Sequence, residues 1–279
     1  MRPLAFAFVL LATTASAQTG CASATDGEAT SDPAPDTSQV VETREITAGE
    51  TAVMLVTEIH APSAENREVP PAMLNVHDNE RTSVDAALDV VRETGGLVMH
   101  LTHTGDRNLT FEVDGRSYTA DPNRMFTAIG RERTLSQHST ASPAALDALA
   151  AFADEVLAAY TALDPAVVVA LHNNTDERYS VASYLPGADY ASDAADVTLH
   201  EGTDPDDFFF VTDRALFDAL TARGFNAVLQ DNDAATDDGS LSVWAAQNNR
   251  PYVNVEAQHG HREEQARMIR ALVEVLAAR

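Results

Sequence analysis

The sequence predicts an α/β fold: a mixed, largely parallel sheet flanked by helices. Apolar runs of strand length alternate with stretches of helical periodicity. Glycines stand where the helical stretches end and the next apolar run begins. Several of the apolar runs are nearly continuous, as strands covered on both faces require.

The elements follow in chain order. Residues 1–20 open with Arg2, the apolar run LAFAFVLLA and the small-residue site TASA, which predicts an export signal cleaved after Ala17. That run is too short for a stable membrane span. Cys21 follows in QTGCAS. A cysteine after small residues suits a lipid anchor, but Gln18 stands where such signals prefer Leu, so anchored and soluble export both stay open. Residues 21–43 are small, acidic and Pro-containing, the composition of a disordered linker. The folded part is then 44–279, one domain by length.

Within it, strands are expected at 51–57, 72–77, 97–103, 166–172, 196–200, 208–212, 226–230 and 252–257. Helices are expected at 82–93, 143–163, 213–223 and 261–278. Ser142-Pro143 reads as cap and first turn of the second helix. Gly95-Gly96 and Gly224 end helices, and VDGR at 113–116 is a hairpin turn.

The net charge is -25, and the cationic side chains are all Arg. Such acidity argues against nucleic acid or an anionic membrane surface as partner. It suits solubility in high salt, and equally an ordinary acidic exported protein. A single cysteine excludes an intrachain disulfide framework and a thiolate zinc cluster.

In α/β sheets, function collects at the carboxyl ends of strands. Here the strand at 72–77 ends on His77, that at 166–172 on His172, and that at 252–257 carries Glu256. His77 and Glu80 lie three apart over a strand-to-helix turn, so both can face one ion, with His172 as a third ligand. Glu256 is then the candidate base for an activated water. The spacing alone is weak evidence, because His261 and Glu264 repeat it at the start of the last helix, where a solvated face explains it. HLTH at 100–103 is less promising, since its histidines would point to opposite faces of a strand. DPNRMF, 121–126, places an Asn beside an Arg suited to gripping a carboxylate. ALHNN follows the strand histidine with two short amides.

In this order of segments the chain resembles the zinc carboxypeptidases and the related succinylglutamate desuccinylase/aspartoacylase group. VHDNERTSVDAAL resembles the second group's zinc motif, and DPNRMF the superfamily's substrate-carboxylate motif. The resemblance covers residues 72 to 260 and rests on about four short segments. It implies a zinc-carboxypeptidase-like fold and Zn2+ held by His77, Glu80 and His172. It implies Asn123 and Arg124 on a substrate carboxylate, Glu256 as general base, and Arg107 polarising the scissile carbonyl. The implied partner is a peptide or an N-acyl amino acid with a free carboxylate. A non-catalytic binding protein on the same scaffold is the alternative from another class.

NVEAQHGH around Glu256 departs from both groups, which leaves His259 and His261 between tuning the base, touching substrate and capping the last helix. Tyr252 is too near Glu256 to take the carboxypeptidases' active-site tyrosine role. Tyr179 and Tyr184 suit packing better than a pocket wall. The acidic run 231–240 suits a solvated loop better than a calcium site.

Overall fold

The computed structural model describes residues 39–61 and 71–279. The expected export signal, Cys21 and the linker as far as residue 38 lie outside the described residues. A nine-stranded sheet runs through the molecule. In chain order its strands are β1 (Gln39–Ala48), β2 (Thr51–His60), β3 (Ala72–Asn75), β4 (Gly96–Thr102), β7 (Val168–Asn174), β8 (Ala194–Thr198), β9 (Phe208–Val211), β10 (Asn226–Gln230) and β11 (Tyr252–Gln258). They lie side by side as β1-β2-β4-β3-β7-β11-β9-β10-β8. The hairpin β5 (Leu109–Val113) and β6 (Arg116–Ala120) turns at VDGR as expected. The helices are α1 (Arg81–Thr94), α2 (Ala128–His138), α3 (Pro143–Thr161), α4 (Arg214–Thr221), α5 (Leu241–Gln247) and α6 (Arg262–Ala277).

The sheet is mixed, as expected, but parallel pairing does not dominate it. The pairs β3–β4, β3–β7, β7–β11 and β9–β10 are parallel; β1–β2, β2–β4, β9–β11 and β8–β10 are antiparallel. Hairpin and edge strands make the difference, because a short turn can join only antiparallel neighbours. The linker boundary is also corrected: β1 begins at Gln39, and residues 39–43 pair with 56–60. Their side chains are exposed, so composition gave no sign of a strand that backbone pairing alone sustains. α2 and α5 were not expected either. α2 buries only Gly130, Thr134 and Leu135, and α5 is barely two turns.

Side-chain parity divides the sheet into two faces. Val169 and Leu171 of β7, Val253 and Val255 of β11, and Phe209 and Val211 of β9 join α1, α4 and α6 in one core. Val168, Ala170, Tyr252, Phe208 and Phe210 face the other way, into a core shared with α2, α3, α5 and the hairpin. His172 and Glu256 continue the second set by parity. Tyr160 of α3, fully buried, fastens this face: its hydroxyl donates to the Ala72 carbonyl (2.8 Å) and accepts from the Val169 amide (2.9 Å).

Candidate active site

β3 stops at Asn75 rather than at His77. There the Asn75 side chain takes over from the ladder, donating to the Leu171 carbonyl (3.0 Å) and to Ser83 Oγ (3.2 Å). The freed chain turns through His77 and Glu80 into α1. Asn173, the first amide of ALHNN, accepts from the Ser83 amide (2.8 Å) and donates to Gln265 of α6 (2.9 Å). Gln265 in turn donates to the carbonyls of His172 and Val255. This buried amide lattice holds the start of α1 against the ends of β7 and β11, and so fixes Glu80 relative to His172.

His77, Glu80 and His172 converge as expected. His77 Nδ1 stands 2.8 Å from Glu80 Oε1 and 3.1 Å from His172 Nδ1, and His172 Nδ1 stands 2.9 Å from Glu80 Oε2. All three residues are buried. Ligands at zinc distance in a tetrahedral shell stand about 3.3–3.6 Å apart, so these separations of 2.8–3.1 Å are a few tenths of an ångström shorter, and the three groups would spread slightly to hold an ion. The donor chemistry fits too. Asp121 Oδ1 lies 2.8 Å from His77 Nε2 and holds that edge of the ring, which turns Nδ1 towards the other two groups. Asp121 belongs to the DPNR segment, and sequence reasoning passed over it in favour of the Asn-Arg pair beside it.

The charges are arranged for a cation. Burial alone would raise the Glu80 carboxyl, but the two imidazoles outweigh it and hold the group far below the usual carboxylate range. Asp121 is likewise held far down against its burial, chiefly by His77. His77 is raised, since Glu80 and Asp121 overcome its desolvation, whereas burial lowers His172. Glu256 goes the other way from Glu80. Burial, with the nearby Glu80 charge, pushes its carboxyl up to about 8. The two buried carboxyls thus carry opposite shifts: Glu80 is held ionised and Glu256 holds its proton.

Glu256 is the register partner of His172 in the parallel β7–β11 pair, and the two point to the same face. Both line a cavity of about 650 Å3 with Arg107, Asn123, Arg124 and His259. Arg107 reaches the site by pairing with Glu80 Oε1, and its Nη2 lies 3.4 Å from Asp121 Oδ2. Asn123 Oδ1 accepts from the Leu241 amide, and Arg124 Nε stands 3.4 Å from Asp238 Oδ2. The acidic run 231–240 thus serves as a cavity wall. It presses so close that a Cβ on Gly239, whose φ is +83°, would lie 2.3 Å from the Arg124 carbonyl oxygen. Tyr179 and Tyr184, expected to serve packing, also line the cavity, their hydroxyls 2.6 Å apart.

The second H-x-x-E does not converge. His261 bonds Asp207 (3.0 Å) and Glu264 pairs with Arg267. His261 precedes the first residue of α6, makes no side-chain capping hydrogen bond and lies outside this cavity, whereas His259 lines it. Among the described residues a second group of close metal-capable atoms, Asp204, Asp207 and His261, is partly exposed.

No family model matches the chain, and no curated protein does. Solved structures similar to it include an aspartoacylase family protein from Mesorhizobium loti (16% identity, 86% of this chain and 67% of that one, TM-score 0.43). They also include the murein-tripeptide amidase MpaA from Escherichia coli O157 (15%, 85% and 91%, 0.41) and carboxypeptidase A from Helicoverpa armigera (9%, 85% and 69%, 0.42).

Proposed function

We propose that the chain is an exported, zinc-dependent hydrolase that cleaves an amide bond next to a substrate carboxylate, as a carboxypeptidase does. The observation that carries this reading is the convergence of His77 Nδ1, Glu80 and His172 Nδ1 beside Glu256, which is level with His172 in the sheet. Two imidazoles and one carboxylate suit zinc and leave a fourth position open. Bound there, the ion supplies a Lewis acid that polarises a carbonyl and brings the pKa of water to about 7.

The chain's own groups do the rest. Glu256, buried and proton-avid, takes the proton of the attacking water and returns it to the leaving nitrogen. Arg107, on the Glu80 side of the cavity, donates to the carbonyl oxygen as charge develops on it. Arg124, with Asn123 beside it, takes the substrate carboxylate in its guanidinium fork. On a chain of net charge -25, an anionic substrate needs such a local cationic trap.

The test is zinc analysis of the purified chain, followed by assays on N-acyl dipeptides and on N-acyl amino acids. Stoichiometric zinc, dipeptide cleavage abolished by a chelator, and recovery on adding zinc are the expected results. Cleavage of N-acyl amino acids alone would replace the peptidase with a deacylase. Absence of zinc, or zinc without hydrolysis of either class, would leave a binding protein on this scaffold.

A further inference from the structure

Tyr252, Asn254 and Glu256 are successive residues of one face of β11, and all three line the cavity. Glu256 is level with His172, and Asn254 is level with Ala170. Asn254 therefore sits one pleat, about 6.6 Å, further from the strand end than the base. It is 6% exposed. Its Nδ2 donates to Glu256 Oε2 (2.8 Å), which fixes the amide orientation when Glu256 is ionised, as a base must be. Its Oδ1 has no hydrogen-bond partner. A buried acceptor left unmet is costly, and a ligand donor recovers that cost.

The other unpartnered buried atom on this wall is also an acceptor. Asn174 Oδ1 is left open because Asn174 Nδ2 is committed to the Asp206 carbonyl (2.6 Å). Asn174 lies four register steps from Asn254, about 13 Å towards the strand ends. Carboxylates outnumber arginines five to three on the wall. Arg107 is already paired with Glu80, and Arg124 lies against Asp238. Beyond the carboxylate grip, the wall's charged side chains are mostly acidic, and its two unpartnered buried atoms are acceptors.

We propose that Asn254 is a specificity-determining residue, whose Oδ1 receives an amino group on the side chain of the substrate residue that carries the captured carboxylate. An ammonium offers donors alone, whereas the cavity's two open atoms are acceptors. An apolar side chain of the same length would leave Asn254 Oδ1 unmet, and a site built around a hydrogen bond rejects such an analogue. The substrate class is then a peptide or acylated amino acid ending in a basic residue. This rests on the hydrolase reading, but its test does not need turnover.

The experiment is calorimetric titration of the full, zinc-loaded chain with free L-lysine and with L-norleucine, which has the same chain length but no amino group. Lysine is expected to bind about tenfold or more tightly. Asn254→Leu should erase that preference at unchanged zinc content. Asn254→Asp, which keeps an acceptor in place, should retain it. Equal or tighter binding of norleucine overturns the inference, as does a lysine preference that survives Asn254→Leu. If Asn254→Leu does not fold, Asn254→Ala takes its place, with the same loss of preference expected and a surviving preference overturning the inference. Benzoyl-Gly-Lys and benzoyl-Gly-norleucine supply the parallel assay. Should neither be cleaved while the binding preference stands, the carboxypeptidase reading falls and the assignment of Asn254 survives.

Discussion

His77-x-x-Glu80 and His261-x-x-Glu264 have the same spacing, and both lie at the start of a helix that packs on the sheet. Their surroundings differ in every respect that matters to a metal. His77 and Glu80 have no exposed side-chain surface, and a third ligand arrives from β7. Asp121 orients the His77 ring, and an amide lattice fixes the helix start. His261 and Glu264 are each about one-third exposed and turn to separate partners, Asp207 and Arg267. Spacing brings two ligands within reach; burial and outer contacts decide whether they are held facing one point.

The sharpest way to break this comparison is to remove a ligand from each copy. His77→Ala or Glu80→Ala should abolish stoichiometric zinc and reduce hydrolysis to background, whereas His261→Ala should leave both unchanged in metal analysis and peptide assays. Equal zinc loss from His261→Ala would mean the wrong pair was chosen. Next in size is Glu256→Gln. It should keep the zinc and lose about 10²–10⁴-fold in kcat, which separates the proton carrier from the ligands.

A smaller effect tests the outer contact. Asp121→Asn should weaken zinc about 10–100-fold in competition with a chelator. Asp207→Asn, which strips the equivalent partner from His261, should leave zinc affinity unaltered.

The smallest effect is in pH. Glu256 is raised to about 8 in the metal-free fold, so the folded chain binds its proton more tightly than the unfolded chain. Between the ordinary carboxylate range and about pH 8, this group makes metal-free stability fall as pH rises, and the slope ends above pH 8. Zinc beside Glu256 favours the ionised form and should flatten that slope. Denaturant titrations at several pH values, with and without zinc, measure it. Glu256→Gln should remove the slope in the metal-free protein.

Much of the fold was legible because its signals are local. Apolar runs marked eight of the nine sheet strands, and helical periodicity marked α1, α3, α4 and α6. β1 escaped because all its side chains but Ile46 and Ala48 are exposed, and α2 because it buries so little. In the site, His77, His172 and Glu256 were readable from their places at expected strand ends, and Glu80 from its spacing to His77. Asp121 was not, since nothing in DPNR says which of its side chains turns towards His77. Asn254 was not, since an amide inside an apolar strand carries no sign of what it lacks.

The sequence by itself determined the α/β class, the strand ends that carry chemistry and a ligand set of the right types, because period, punctuation and spacing are properties of neighbours along the chain. Tertiary structure decided which H-x-x-E is the candidate site, which buried carboxyl is lowered and which is raised, and where an acceptor is left unmet. Those depend on register between strands more than eighty residues apart and on what burial does to a charge once its partners are in place.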